Sequence, residues 1–382
     1  MMVLLRPAAR WGLLLLALAG LTATALPAWP TDLWWVRFLD FPRLQFLGVA
    51  LAGLLAALAF GRRWRERAWM GACTAAAFTV AAAWNAAVLW PYLIPLFAAW
   101  PPPQVAAGSC GPGNRLRVLS VNVQRSNTHT TRLLDMVREA DPDVAWFQEV
   151  DARWEHELSP LSASMPHGIA DVQANYFGVH LYSKLRLIEP TVRYLTGSRN
   201  PSVFTAVAMP SGALARLYAV HPRPPQVGQG TAERDAQLMA VALAARDDAE
   251  PHVLLGDLNS VPWEGAIRRA ERIGRFLDPR VGRGLHVTWN AHDVVARWPL
   301  DHVLPGPGFT VAGLHVLAAF GSDHYPLLVD LCRPGPPDAR PATQALRPGD
   351  LQAAQETVRR GQEKAMGPGS ANPVGSDTGA DD

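Results

Sequence analysis

Acidic residues are almost missing from the first 100 positions of this 382-residue chain, where Asp32, Asp40 and Glu66 stand alone. The same stretch holds nine of the fourteen Trp, a balance that does not suit an ordinary soluble surface. Charge of either sign is absent from Val88 to Asn114. A basic excess is missing too: residues 115–331 carry 21 Lys and Arg against 23 Asp and Glu, a formal charge of −2. That argues against a strong, nonspecific grip on duplex nucleic acid. No internal repeat is present. The last fifty or so residues lack a sustained apolar period and are rich in Pro, Gly, Ala and polar residues. Residues 333–382 therefore read as a disordered tail, with room for a short helix over about 350–364.

What is present begins with three apolar stretches, about 11–29, 44–60 and 69–90. Each approximates the roughly 17–25 residues that cross a bilayer, and Trp residues sit near several of the ends, as amphipathic rings do at membrane interfaces. They predict a 1–100 anchor of three transmembrane helices. The first follows Arg6 and Arg10 and has small residues near Thr22–Ala25, so it also fits a cleavable signal. Arg62, Arg63, Arg65 and Arg67 crowd the loop after the second stretch, whereas the first loop balances Arg37 and Arg43 against Asp32 and Asp40. Positive loops stay cytoplasmic, so the N-terminus is expected inside and the chain leaves the third span outside. In a bacterial cell this describes a multi-pass protein of the inner (plasma) membrane whose large domain is periplasmic or extracellular.

Residues 101–114 form a Pro/Gly linker, and residues 115–332 suffice for a complete hydrophobic core. Cys73 falls inside the third span, where it reads as an inert packing residue. Cys110 and Cys332 flank the first and last strands of the soluble domain, and in an oxidising compartment they could join its two ends if those strands are neighbours.

Within that domain, Val253-Leu-Leu reads as a buried strand, and Gly256 frees the backbone to present Asp257 and Asn259. Alternation along an extended segment puts those two on one side and Leu258 in the core. A carboxylate can orient and deprotonate a water, and a neutral amide can donate to a phosphate oxygen, so the pair suits phosphoester hydrolysis. So short a motif equally fits an ordinary turn at a strand end. Leu116–Asn122 and Val144–Glu149 read as strands ending on polar side chains, with a helix over 131–140 between them, and this order points to a layered α/β domain. Further strands are expected at 176–183, 202–209, 215–220 and 327–331, with helices at 231–245 and 265–273.

Taken in order, Asn122, Gln148-Glu149, His221-Pro222, Gly256-Asp-Leu-Asn259, Asp301-His302 and Gly321-Ser-Asp-His324 resemble the motif set of the endonuclease/exonuclease/phosphatase superfamily, across essentially all of 115–332. The three leading spans and the wording of the last motifs are similar to membrane-anchored bacterial members. The resemblance implies an α/β (α+β) domain of two packed, mostly antiparallel sheets flanked by helices, a deoxyribonuclease-like four-layer sandwich whose strand ends meet at one cleft. It also implies a phosphoester hydrolase dependent on Mg²⁺ or Mn²⁺. On this basis Glu149 is the leading metal ligand, Asn122 assists as ligand or hydrogen-bond partner, and Asp323 supports the metal or its waters. Asp257 activates the attacking water and Asn259 donates to the phosphate. His324 binds a non-bridging oxygen, Asp301 holds the His324 tautomer and favours its protonated form, and His221 is a second phosphate-facing imidazole. Arg199, Asn200, His302, Tyr182 and His180 stay outside this set.

The substrate expected from the motifs is a phosphodiester, nuclease-like in kind, although the slightly acidic domain argues the other way. The anchor favours a membrane-derived phosphoester, a phospholipid or inositol phosphate, because tethering concentrates the site near head groups. No aromatic or Met-rich hairpin suited to lipid binding is evident. A non-catalytic membrane scaffold or binding module is the alternative of another class. It would be favoured by loss of Glu149, Asp257 or His324, and all three are present. No protein partner is inferred.

Overall fold

The computed structural model describes residues 5–61, 68–93, 109–197, 200–333 and 344–366. Runs of Leu and Ala, the strongest apolar helix formers, fold as α1 (Leu5–Ala25), α3 (Arg43–Gly61) and α4 (Ala68–Leu93), with the short α2 (Trp34–Phe38) between the first two. Two helical stretches, Ala9–Ala28 and Ala68–Leu93, are long and apolar enough to cross a membrane, and Arg43–Ala59 is a shorter apolar helix. At one end of the bundle Arg43 donates to Asp40 at 2.6 Å and to Asn85 Oδ1 at 3.2 Å, and Asn85 donates to Thr24 Oγ1 at 2.9 Å. These buried groups satisfy one another and tie α1, α3 and α4 together. Cys73 is exposed rather than packed, because it falls on the outward face of α4. The arginine loop at 62–67 and linker residues 101–108 lie outside the described residues.

The remaining elements run β1 (Arg115–Asn122), α5 (Thr130–Ala140), β2 (Val144–Gln148), α6 (Ala152–Leu158), β3 (His167–Asp171), β4 (Val179–Ser183), β5 (Leu187–Arg193), β6 (Ser202–Ala208) and β7 (Leu214–Val220). They continue with α7 (Ala232–Arg246), β8 (His252–Asp257), α8 (Gly265–Gly274), β9 (Asp301–Pro305), β10 (Thr310–Val316), β11 (Leu327–Cys332) and α9 (Asp350–Met366). One sheet has the order β10-β11-β1-β2-β4-β3 and the other β5-β6-β7-β8-β9. Both are mixed: β1 runs parallel to β2 and β7 to β8, while the other neighbours are antiparallel. The sequence pattern did not foresee β3, β5 and β10. All three are sheet edges with half-exposed residues, so no buried apolar run marks them.

Strand alternation sorts the core into layers. Val118, Trp146, Leu181, Val203, Leu217, Val253 and Leu255 meet between the sheets. On the outer face of the first sheet, Leu119, Val121 and Phe147 pack under Leu133, Val137 and Trp154 from α5 and α6. On the outer face of the second, Tyr218 and Leu254 pack under α7, α8 and α9 through Leu238, Ile267 and Ala354. Helices thus flank two mixed sheets on both sides.

Pairing of β1 with β11 puts Arg115 opposite Cys332, and Cys110 is disulfide-bonded to Cys332 with the Cα atoms 4.9 Å apart. The short helix that the sequence allows over about 350–364 is α9, and it packs against α7 and α8. A Cβ on Gly361 would overlap Ala236 of α7, and Arg272 holds Asp350 with two bonds of 2.7 and 2.8 Å. Residues 334–343 and 367–382 lie outside the described residues.

Candidate active site

Strands β1, β2 and β8 deliver their polar ends to one place. A side chain at Gly256 would collide with the Val220 carbonyl, and φ there is +135°, so this position requires glycine. Gln148 bolts the sheets together: its amide donates to Ser120 Oγ at 3.2 Å, and its carbonyl accepts from Asp257 N at 2.7 Å. Gln124, Glu149 and Asn259 all adopt left-handed backbone, with φ of 53°, 64° and 48°. Such conformations cost energy and persist where surrounding bonds over-determine them, as they do around catalytic sites.

Asn122 stands between two carboxylates. Its amide nitrogen lies 3.0 Å from Glu149 Oε1 and 3.3 Å from Asp257 Oδ2, while its oxygen accepts from Gln124 N at 2.9 Å. Glu149 also accepts from Arg125 N at 3.0 Å. Burial pushes the Glu149 carboxyl above its usual range, and the donors of Arg125 and Asn122 oppose that.

Across the β8–β9 pair Asp257 stands directly opposite Asp301. Between the carboxylates sits His324: Nδ1 is 2.8 Å from Asp301 Oδ2 and Nε2 is 3.5 Å from Asp257 Oδ2. Burial alone would neutralise this imidazole, but the charges of Asp301 and Asp257 outweigh it and push its pKa up to about 10. For Asp257 the balance is reversed. Burial raises its pKa to about 7 against the opposing pull of His324. His221 Nε2 lies 3.7 Å from the same Asp257 oxygen, and burial, reinforced by the His324 charge, lowers its pKa to about 3. One imidazole is thus cationic and its neighbour neutral.

The donor chemistry fits a hard divalent cation. Glu149 and Asp323 are near enough to repel each other, and their hydrogen-bond partners are neutral donors: Asn122 and Arg125 N for Glu149, Trp289 Nε1 at 2.9 Å for Asp323. Among the described residues no three His, Cys, Asp or Glu side chains form a metal cage. Magnesium asks for one or two carboxylates and keeps several waters, a requirement that the donor types of Glu149 and Asp323 would fit. The Asn122 nitrogen faces the carboxylates, which favours its role as hydrogen-bond partner over that of ligand.

Asn259 reaches the site by another route than alternation, because β8 ends at Asp257. Its backbone N–H donates to Asp257 Oδ1 at 2.9 Å, and its side chain donates to the Pro222 carbonyl at 2.9 Å. His302 faces away, against Ser260 O at 2.8 Å, and His180 and Tyr182 stack on each other beside Glu155. Asn200 is buried, and Arg199 lies outside the described residues. Sequence reasoning missed Gln148 as the inter-sheet bolt, Ser322, which supports Asn122 O and His324 N, and the rim pairs of Arg125 over Tyr176 and Arg223 over Phe177. The adjacent Tyr176-Phe177 was the available signal for that rim.

The sequence profile of the Endonuclease/Exonuclease/phosphatase family matches residues 119–324. Similar solved structures include TDP2 of D. rerio complexed with single strand DNA product, 16% identical over 57% of this chain and 98% of that one, with a TM-score of 0.49. The endonuclease/exonuclease/phosphatase from Beutenbergia cavernae is 20% identical over 59% of this chain and 73% of that one, TM-score 0.47. The human Nocturnin catalytic domain with bound sulfate anion is 17% identical over 57% and 94%, TM-score 0.47. No curated protein matches the sequence significantly. Because the profile spans more than half of the chain and covers the strand ends that carry these carboxylates and imidazoles, the chain belongs to the Endonuclease/Exonuclease/phosphatase family and is a metal-dependent phosphoric ester hydrolase.

Proposed function

We propose that the protein is a membrane-anchored phosphodiesterase, nuclease-like in the bond it breaks, in which Asp257 activates a water for attack on phosphorus. The observation that carries this reading is the line Asp301–His324–Asp257, with contacts of 2.8 and 3.5 Å. It sets a carboxylate that titrates near neutrality beside a fixed cation, the pairing that a base and a charge-stabilising donor need. Asp257 takes the proton of the attacking water. His324 donates to a non-bridging oxygen as charge builds there, held in its tautomer by Asp301. Asn259 spends one amide hydrogen on Pro222 and keeps a second for the phosphate, and neutral His221 supplies a further phosphate contact. Glu149, with Asp323 and Asn122 beside it, would hold a Mg²⁺ or Mn²⁺ ion, which would supply Lewis-acid polarisation and neutralise leaving-group charge.

Half-buried Tyr176 and Phe177, each under an Arg, favour a substrate with planar groups beside its phosphates, because bases stack on such platforms. Phe177 lies 6.2 Å from His221, ring to ring. A second reading, a membrane phosphoester, draws on the loop that leaves Trp289. It exposes Val294 by 85% and Val295 by 65%, and the Val295 carbonyl accepts from Gln45 in the first turn of α3 at 2.5 Å. Anchoring by three spans with the N-terminus cytoplasmic rests on the apolar helices and on the arginines before the first span and at 62–67, since positive loops stay inside. Leu89 and Tyr92 near the end of α4 and Phe41 just before α3 pack with Val261, Trp263 and Trp298. The two passes of α3 and α4 bring those ends to one face.

The test is hydrolysis by the full chain in lipid nanodiscs with Mg²⁺ or Mn²⁺, comparing single- and double-stranded DNA, RNA, sphingomyelin, glycerophospholipids and inositol phosphates. Turnover of a nucleic acid supports the leading reading, and turnover confined to a lipid or inositol phosphate replaces it with the second. The full chain is used because the domain packs on the N-terminal helices.

A further inference from the structure

Glu264, at the start of α8, is fully buried, and its carboxylate is reached from three directions. Arg37 binds it through Nε at 3.1 Å and Nη2 at 2.6 Å, while Arg234 and Ser260 Oγ also donate to it. Arg234 in turn donates through Nη1 to the backbone carbonyl of Asn259 at 2.8 Å. A chain of contacts therefore runs from Arg37, in α2, to the residue that follows Asp257-Leu258 in left-handed backbone. The same segment makes two more ties. Asp40 O accepts from Trp263 Nε1 at 2.7 Å, and Asp32 O accepts from Thr231 N at 2.9 Å, just before α7.

Charge makes Arg37 more than an anchor. Arg234 is shared by Asp235 and Glu264, both bound to its Nη2. With Arg37 present the cluster has two cations and two anions. Without it a single buried guanidinium serves two carboxylates, and an unbalanced buried charge costs enough to force the pair to rearrange. The cation left to both carboxylates is Arg234, which holds the Asn259 carbonyl.

We propose that Arg37 is a positioning residue of the active site: through Glu264 and Arg234 it fixes the 257–264 loop, so the catalytic domain is fully competent only when docked on the N-terminal segment. This rests on the roles given above to Asp257 and Asn259. The anchor is then part of the catalytic machinery's support rather than a tether, and separating the two lowers turnover.

The experiment uses the full chain in nanodiscs with Arg37→Met, Arg37→Lys and, as control, Lys364→Met, which removes a 2.7 Å exposed contact between α9 and Asp32 of the same N-terminal segment. Hydrogen exchange is read first. In Arg37→Met the amides of 258–264 exchange about tenfold faster while those of β8 stay protected. Turnover falls by roughly ten- to a hundredfold in kcat with KM nearly unchanged, as expected from a misplaced catalytic group. Arg37→Lys recovers part of both effects, and Lys364→Met behaves as wild type. Unchanged exchange over 258–264 overturns the proposal whether or not a substrate has been found. A uniform rise in exchange across the domain, or an activity loss that tracks the melting temperature and is not rescued by lysine, also overturns it and makes Arg37 a general stabiliser. Absence of wild-type turnover bears on the proposed function alone, since exchange is read without substrate.

Discussion

Asp301 Oδ2 lies 2.8 Å from His324 Nδ1, and that contact keeps a fully buried imidazole cationic up to about pH 10. Asp301 and Asp257 are direct partners in the β8–β9 pair, so two carboxylates face each other in a dry site. Like charges so placed would drive one of them to hold a proton. The imidazolium between them opposes the burial of Asp257 and brings its pKa to about 7 rather than higher.

Asp301→Asn removes the charge that offsets burial at His324. The imidazole then becomes neutral near physiological pH, and kcat falls by about 10²–10³-fold, the usual loss when one donor to a developing oxyanion is removed. Steady-state kinetics should show the alkaline limb of the pH profile moving from about 10 toward neutrality in the variant. An unchanged alkaline limb would separate His324 from the chemistry.

The wild-type pH profile follows with its sign fixed. Asp257 accepts a proton only as the carboxylate, so kcat/KM rises as pH climbs through about 7 and falls again as His324 deprotonates near 10. A bound divalent cation favours the carboxylate, so higher Mg²⁺ should move the acid limb to lower pH. Asp257→Asn loses both the acid limb and the activity.

Chelation abolishes turnover, and added Mg²⁺ or Mn²⁺ restores it. Glu149→Gln weakens cation binding, read by Mn²⁺ titration, by at least about the 10–100-fold typical even of residues that merely orient ligands. Asn122→Ala acts differently. It removes the donor that Glu149 and Asp257 share, so the acid limb rises while cation affinity changes less.

The legibility of the sequence divides along physical lines. β8 and the motif residues could be read because buried runs that end in paired polar residues leave a local pattern. The Cys110–Cys332 link was legible for a related reason, since the cysteines flank β1 and β11, which pair. Edge strands β3, β5 and β10 left no such pattern. α9 shows a thin stripe of Leu351, Ala354 and Val358, enough for one face and too little to announce a docked helix. Asn259 comes beside Asp257 by a left-handed turn rather than by the strand alternation expected of it. Arg37, Glu264 and Arg234 were illegible because an ion pair between residues 227 apart in sequence leaves no local signal.

Removing the Cys110–Cys332 bond frees the two ends of a 222-residue separation. Cys110→Ser with Cys332→Ser should lower unfolding free energy by about 2–5 kcal/mol, by loss of the constraint on the unfolded chain. Denaturant titration of the two proteins, each with and without reductant, checks this. A reductant effect on the double variant equal to that on wild type would assign the change elsewhere.

The most direct test of the central claim is the rate of metal-dependent cleavage of a simple aryl phosphodiester in ¹⁸O-labelled water by the full chain and by Asp257→Ala. The account predicts Mg²⁺- or Mn²⁺-dependent turnover that places the label in the phosphate product, lost by about 10³-fold or more in the variant, as expected when the general base is removed. Label in the alcohol product, or turnover that survives Asp257→Ala, would contradict attack on phosphorus by a water that Asp257 activates.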